Sequence, residues 1–359
     1  MKTPDASHGG AAGSSKNHRS PRHEYGGQAT NQITAFSKRS KIMKYASITQ
    51  LLSRGVSTLL ILALVATMAV GQNLVIGSGS TYTGAGSYVV KGNITNAGVA
   101  PATSIAGTVT MSSATALQTI GTGGQGAINF ETLNINTSFG TNTTTAAVST
   151  AVSTALSVAA LSVYDIGATT LTLSGTSTLN GTGNLTVSNA GSTVVYNKTG
   201  GSQTALGLTY AGAMTLSGTS TKDFSASGSV AGTFSHTGGD LTVNQNFTVS
   251  YATPSFVTIA DVATGKTLTL SGTGAKGITT VTTTTGTGAI ANTGVSGLLT
   301  IATLSGNNGT ISGGAGGVTF TNAATNSGNI TGGSGLVTFS NTLAHSTGTI
   351  TSGSGGITF

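Results

Sequence analysis

Residues 309–320 read Gly309-Thr-Ile-Ser-Gly-Gly-Ala-Gly-Gly-Val-Thr-Phe320. The pattern returns as Gly328-Asn-Ile-Thr-Gly-Gly-Ser-Gly-Leu-Val-Thr-Phe339 and as Gly348-Thr-Ile-Thr-Ser-Gly-Ser-Gly-Gly-Ile-Thr-Phe359. The closing phenylalanines recur at near-equal intervals, Phe320 to Phe339 and Phe339 to Phe359. Apolar and polar residues alternate in runs such as Val337-Thr338-Phe339, the period of a strand with one buried and one wet face. Such short runs between glycines do not stand as free hairpins. They become stable when every unit stacks on the next and all share one core. A repeat of about 20 residues therefore predicts one turn of a parallel β-solenoid. Gly and Asn between the runs supply positive φ at the corners.

A looser unit extends the pattern toward the N-terminus: Leu171-Thr-Leu-Ser-Gly-Thr-Ser177, Met214-Thr-Leu-Ser-Gly-Thr-Ser220 and Leu268-Thr-Leu-Ser-Gly-Thr-Gly274. Thr suits the wet face, being β-branched with a hydroxyl that water satisfies. The fold class is therefore all-β, a parallel β-helix with rungs of about 20 residues over residues 72–359. Roughly 14 rungs at ~4.8 Å each would make a rod of about 65–70 Å. The alternative is a string of tandem β-sandwich domains. Their strands run longer, do not repeat at this spacing and favour a buried Trp, of which the chain has 0. Residues 141–166 contain no Gly. As a strand they place Val148, Val152, Leu156 and Val158 on one face, and the β-branched content favours this over a short helix packed on the solenoid. Phe359 ends a repeat with no polar capping unit after it, so the native protein is expected to continue past this residue.

The N-terminal part has a different character. Residues 1–42 are polar and basic, too poor in large apolar residues to offset the entropy of ordering, and read as a disordered leader. Residues 43–71 read as a signal peptide. Met43-Lys44 through Arg54 is the basic segment, Val56 to Val70 the apolar core, and Ala69 and Gly71 are the small residues before a cut at Gln72. A membrane anchor would need about 20 apolar residues and a charged stop beyond them. Both a start at Met43 and a long leader beginning at Met1 fit these residues.

Composition then narrows the function classes. Charged residues make up 6% of the chain, and the formal net charge is +7. That charge lies entirely in residues 1–71; residues 72–359 hold five Lys, five acids and no Arg. A neutral body without Arg lacks the cationic groove that a phosphate backbone requires, which excludes nucleic-acid partners. Zero Cys is compatible with an exported protein that does not rely on disulfides. The Asn-x-Ser/Thr sites, among them Asn93, Asn184, Asn246 and Asn329, are what chance gives in a chain this rich in Thr and Asn.

Each motif that suggests chemistry fails on its context. Gly121-Thr-Gly-Gly-Gln-Gly126 has the dinucleotide fingerprint but is followed by a strand pattern. Gly265-Lys266-Thr267 resembles the end of a phosphate-binding loop, with Ala260 where Gly is wanted. Gly332-Gly-Ser-Gly335 starts like a calcium-binding repeat, but Val337 stands where the carboxylate belongs, as Val318 does one unit earlier. Glu131, Asp165, Asp223, Asp240 and Asp261 are dispersed; only Asp240 and Asp261, about one rung apart, are spaced to meet on successive rungs. His236 and His345 have no partner pattern for a metal or a triad. The scattered tyrosines, including Tyr82, Tyr88, Tyr164, Tyr196, Tyr210 and Tyr251, suit the surface or the core edge. No residue is assigned as catalytic, cofactor-binding or metal-ligating, and no cofactor is expected.

A leader followed by a Cys-free body with Leu-Thr-Leu-Ser-Gly and Gly-x-Ile-Thr-Gly-Gly-x-Gly runs resembles autotransporter passengers and filamentous-haemagglutinin-like adhesins. It is also similar to large repeat-rich surface proteins of Gram-negative bacteria. The resemblance covers residues 72–359 in composition and rhythm, without a site motif, a translocator barrel or a secretion-domain signature. It implies a right-handed β-helix at the outer membrane, on the cell surface or secreted. The expected function is structural or adhesin-like and non-enzymatic, with glycans, cell surfaces or like chains as partners. Membrane association is expected only through export or an anchor. The alternatives are a polysaccharide-active β-helix enzyme and an ice-binding Thr-rich solenoid. The first needs Asp240 and Asp261 side by side; the second needs pairs such as Thr267-Leu-Thr269 to align, against which their uneven spacing counts.

Overall fold

A computed structural model describes residues 68–70, 73–77, 80–96, 103–113, 117–137, 143–181 and 183–359. The chain divides into two units, 1–62 and 63–359. The first unit, with the basic leader and most of the signal peptide, lies outside the described residues. At the start of the second, Met68–Val70, which closes the apolar run read as the core of a signal peptide, pairs in parallel with Ser87–Val90.

The second unit is a parallel β-solenoid of about 13 turns with about 21 residues per turn. Every pairing among its described strands is parallel, which sets aside the β-sandwich alternative. One 3₁₀ turn, Gly314–Gly316, is the sole helical element among the described residues. Each complete turn has three faces. Thr170–Leu173, Thr176–Leu179 and Asn184–Thr186 lie on the first, second and third faces of one turn. In several turns a single long strand covers the first two faces, as Phe234–Val243 does, with a shift in register at the bend between them. The third face consists of two sheets in succession, of six and eight strands, the second running from Thr209–Tyr210 to Ile350–Thr351.

Within residues 141–166, the described residues 143–166 meet the expectation of extended structure. Thr143–Ala146, Thr150–Val158 and Val163–Asp165 are strands, and Val148, Val152, Leu156 and Val158 are buried. The helical option is not realised. In Thr150–Val158 the Ala and Ser residues face outward while Val152, Leu156 and Val158 join the core.

Parallel stacking turns the core into vertical columns. On the first face, the register joins Tyr82, Ile105, Phe130, Val152, Leu173, Tyr196, Leu216, His236, Phe256, Ile278, Ile301, Phe320 and Phe339 in one line. At its end the repeat phenylalanines stack face to face. Phe320 and Phe339 have ring centroids 5.0 Å apart at 8°, and Phe339 and Phe359 5.5 Å apart at 13°. The third face has its own line, Phe247, Leu268, Ile290, Ile311, Ile330 and Ile350.

Turns lie so close together that some corners leave no room for a Cβ. At Gly309 it would come within 1.9 Å of the Gly288 carbonyl oxygen of the previous turn. Gly239 adds a second restriction, since its φ of 72° lies in the left-handed region.

Because Phe320 is wholly buried between Ile301 and Phe339, Phe320→Ala is expected to cost about 3–5 kcal/mol. Urea denaturation followed by circular dichroism measures this. A loss below about 1 kcal/mol would show that the column does not hold adjacent turns together.

Candidate functional site

The sequence motifs resolve into corners and strands. Gly121–Gly126 is a turn leading into the strand Ile128–Ile135, so no helix N-terminus faces it. Gly265-Lys266 is a corner before the strand Thr267–Leu270. Gly332–Gly335 is a corner as well, and Val337 after it is buried in the core.

The carboxylates serve the outside of the fold. Glu131 accepts a hydrogen bond from the Gly107 amide at 2.5 Å, and Asp165 from the Gly167 amide at 2.9 Å. The Asp240–Asp261 meeting that their spacing suggests does not occur in register. Asp240 stands opposite Thr258, and Asp261 opposite Thr242 and Thr283. The reason is the shift between His236 and Asp240, where the first strand carries extra residues, so that facing positions stand 18 or 19 residues apart here and the two acids fall on different columns of the second face. Asp261 instead accepts a bond from the Thr285 hydroxyl at 2.9 Å. No group of three or more His, Cys, Asp or Glu able to hold a metal ion occurs among the described residues.

The tyrosines require a correction. Tyr164, Tyr196 and Tyr210 lie fully inside the core, neither at the surface nor at its edge. Each hydroxyl is paired there. The Tyr164 hydroxyl meets that of Thr150 at 2.8 Å, and the Tyr196 and Tyr210 hydroxyls meet at 2.9 Å. Tyr210 also donates to the Leu206 carbonyl at 2.7 Å. Burial pushes the Tyr196 phenol up to about 12, so all its chemistry at neutral pH is that of a neutral hydrogen-bonding group.

A set of buried donors, not signalled by any motif, holds the corners from inside. Gln118 donates to the Val90 and Gly92 carbonyls at 3.0 and 2.7 Å, and Gln203 to those of Leu173 and Gly175 at 2.7 and 3.0 Å. Lys276 does the same with Gly272 and Gly274, and Lys222, stacked on Gln203, with Ser220. In each case carbonyls at a bend point inward, and a long side chain with N–H donors satisfies them. A third arrangement is an interior chain of amides. Thr284 donates to Asn307 at 2.5 Å, Asn307 to Asn326 at 2.6 Å, and the Asn326 amide meets His345 Nδ1 at 3.0 Å. Its sequence signal is Asn-x-Gly recurring one turn apart, at Asn307-x-Gly309 and Asn326-x-Gly328.

The outer third face is a regular, hydroxyl-bearing surface. Thr209, Ser229, Thr248, Thr269, Ala291, Ser312, Thr331 and Thr351 form one outward column, unbroken over eight strands. Beside it run Thr267, Ala289, Thr310 and Asn329. Uneven spacing in sequence therefore does not prevent the Thr pairs from aligning. Differences in turn length are taken up at the corners, and these third-face pairings show no register shift. The edge of this face is fixed by asparagines. Asn73, Asn93, Asn246 and Asn329 accept from the amides of Asn93, Thr119, Thr267 and Thr349 in the next turn, at 2.9, 2.8, 2.9 and 3.1 Å. An open groove of about 320 Å³ follows the same edge, lined by Thr287, Asn308, Thr310, Ser327, Asn329 and glycines, without a charged or aromatic side chain.

Comparison with protein-family models, with curated proteins and with solved structures finds no match to this chain.

Two measurements check the interior assignments. Gln203→Met, which keeps the volume but strands the Leu173 and Gly175 carbonyls, is expected to lower stability by about 1–3 kcal/mol in urea. An unchanged midpoint would deny the amide this role. Burial, reinforced by Lys198, holds the Lys222 amine down to about 8. The folded state thus sheds this proton before the unfolded state does, and stability should rise as pH goes from about 8 to about 10.5. In Lys222→Met that rise should shrink, as read from urea midpoints across this window.

Proposed function

We propose that this chain is a non-enzymatic, exported structural repeat protein of adhesin-like type, working at a cell surface or after secretion. Support for export comes from residues 43–71, with their basic segment, apolar core and small residues before Gln72. One observation carries the binding role: the third face holds hydroxyl and small side chains in register over eight strands, with no charge in its columns. A surface of this kind makes many weak, equivalent contacts, and avidity accumulates when the ligand is itself repetitive. Neutral glycans, or like chains bearing the same face, are the partners with matching chemistry.

The same alignment favours a second reading, ice binding through the Thr pairs. Thr267 and Thr269 share columns with Thr310 and Ser312 and with Asn329 and Thr331. The spacing is ~4.8 Å between turns and ~6.8 Å along a strand.

The test is to express the full chain, sequence the N-terminus of the exported form, and compare it with a Thr269→Asp, Ser312→Asp, Thr331→Asp variant. Export should leave Gln72 as the first residue. The variant should keep its β-rich circular dichroism but lose about tenfold or more in avidity for immobilised glycans or cells. Undiminished binding would remove the third face from the function. Thermal hysteresis without glycan binding would transfer the assignment to ice. Polysaccharide cleavage abolished by Asp240→Asn would make the protein an enzyme.

A further inference from the structure

Among the thirteen positions of the first-face column, twelve are aliphatic or aromatic and one is His236. It stands between Leu216 and Phe256, is 1% exposed, and neither ring nitrogen has a partner in hydrogen-bond geometry. The Phe256 ring lies edge-on at 6.4 Å and 65°. A neutral imidazole fills this place as an apolar ring would, at the cost of two unpaired nitrogens. A protonated one would be a charge in the core without a well-placed acceptor for its protons.

The charged and polar surroundings leave that imbalance in place. Lys222, from the strand Thr221–Phe224 of the previous turn, is 0% exposed and repels a proton on the ring. Asp223, next along that strand, belongs to its opposite face. The backbone of Gly238 and Gly239 and the carboxylate of Asp240, all on His236's own strand, favour the proton. The glycines do so without closing a hydrogen bond to either nitrogen, and Asp240 is exposed to solvent. On the flanking strands, Ala213–Leu216 carries no titratable group and Ser255–Val262 carries only Asp261, which is bonded to Thr285. Desolvation therefore outweighs what favours the charge.

We propose that the turns carrying residues 214–262 are an acid-sensitive seam, in which protonation of the His236 imidazole opens these turns locally while those on either side keep their stacking. Locality follows from the architecture, since each turn of a solenoid is coupled only to its neighbours. Burial holds the imidazole below its ordinary range, with Lys222 adding to the effect. The unfolded chain therefore binds a proton below about pH 6.5 that the folded chain refuses, and stability is lost as pH falls through that range.

Hydrogen exchange read by mass spectrometry on the full chain, at about pH 7.5 and about pH 5 and corrected for intrinsic rates, tests this. Peptides within 214–262 should lose about tenfold or more of their protection in acid, while those within 289–339 hold theirs. His236→Phe, which places the residue of Phe130 and Phe256 in the column, should abolish the difference. Loss spread evenly along the chain, or persisting in His236→Phe, would overturn the proposal. An NMR titration of His236 in the unmodified chain gives an answer even where the variant does not fold. Its protonation must coincide with loss of protection in 214–262, and protonation without that loss would also overturn it.

Discussion

Each turn of this solenoid completes its backbone hydrogen bonds on the turns above and below, and that requirement shapes nearly everything else. Parallel, in-register pairing brings equivalent positions together every turn, so a side chain must suit the residues stacked on either side of it. Phe320 and Phe339 follow this rule with rings nearly parallel at 8°. The interior line Phe247, Leu268, Ile290, Ile311, Ile330 follows it mostly with aliphatic residues of similar size. Corners bear the opposite obligation. They absorb the variation in turn length, and where turns approach closely, as at Gly309 over the Gly288 carbonyl, only a residue without a Cβ fits.

The same need to complete hydrogen bonds explains the polar interior. At several bends the backbone directs carbonyls inward, where water does not reach, and Gln118, Gln203, Lys276 and Lys222 extend N–H donors to them. Amide and ammonium are interchangeable in geometry but not in cost. An amide is neutral, whereas burial disfavours the charge on the two lysines and lowers their affinity for the proton. His236 is the exception, a buried polar ring whose nitrogens meet no partner in hydrogen-bond geometry.

Outside, the described solenoid bears few charged side chains, and its third face presents hydroxyls and small side chains at the interval of the turns. Such a face offers little to a substrate that must be polarised or protonated. It offers repeated, equivalent contacts to a ligand with a repeat of its own. The proposed adhesive role draws on that periodicity. It asks the scaffold for length and regular register rather than for a single pocket.

The sequence by itself determined the solenoid, the size of its turn and the stacking of Phe320, Phe339 and Phe359. Period-two alternation and a repeat of one turn's length are local properties, and short strands satisfy them by stacking turn upon turn. It also indicated the extended structure of residues 143–165, through Val148, Val152, Leu156 and Val158. What only the tertiary structure decided was which positions share a column, since that depends on how many residues each corner consumes. The interval between Asp240 and Asp261 looks like one turn, yet the shift between His236 and Asp240 shortens the facing interval on this strand pair and separates the two acids. The unequal intervals along Thr248, Thr269, Ala291, Ser312 and Thr331 look irregular, yet those residues align. The burial of Tyr164, Tyr196, Tyr210, Lys222 and Lys276 was equally hidden. A polar residue enters a core most readily where a partner awaits it, and those partners are carbonyls and hydroxyls that bends and neighbouring turns bring within reach.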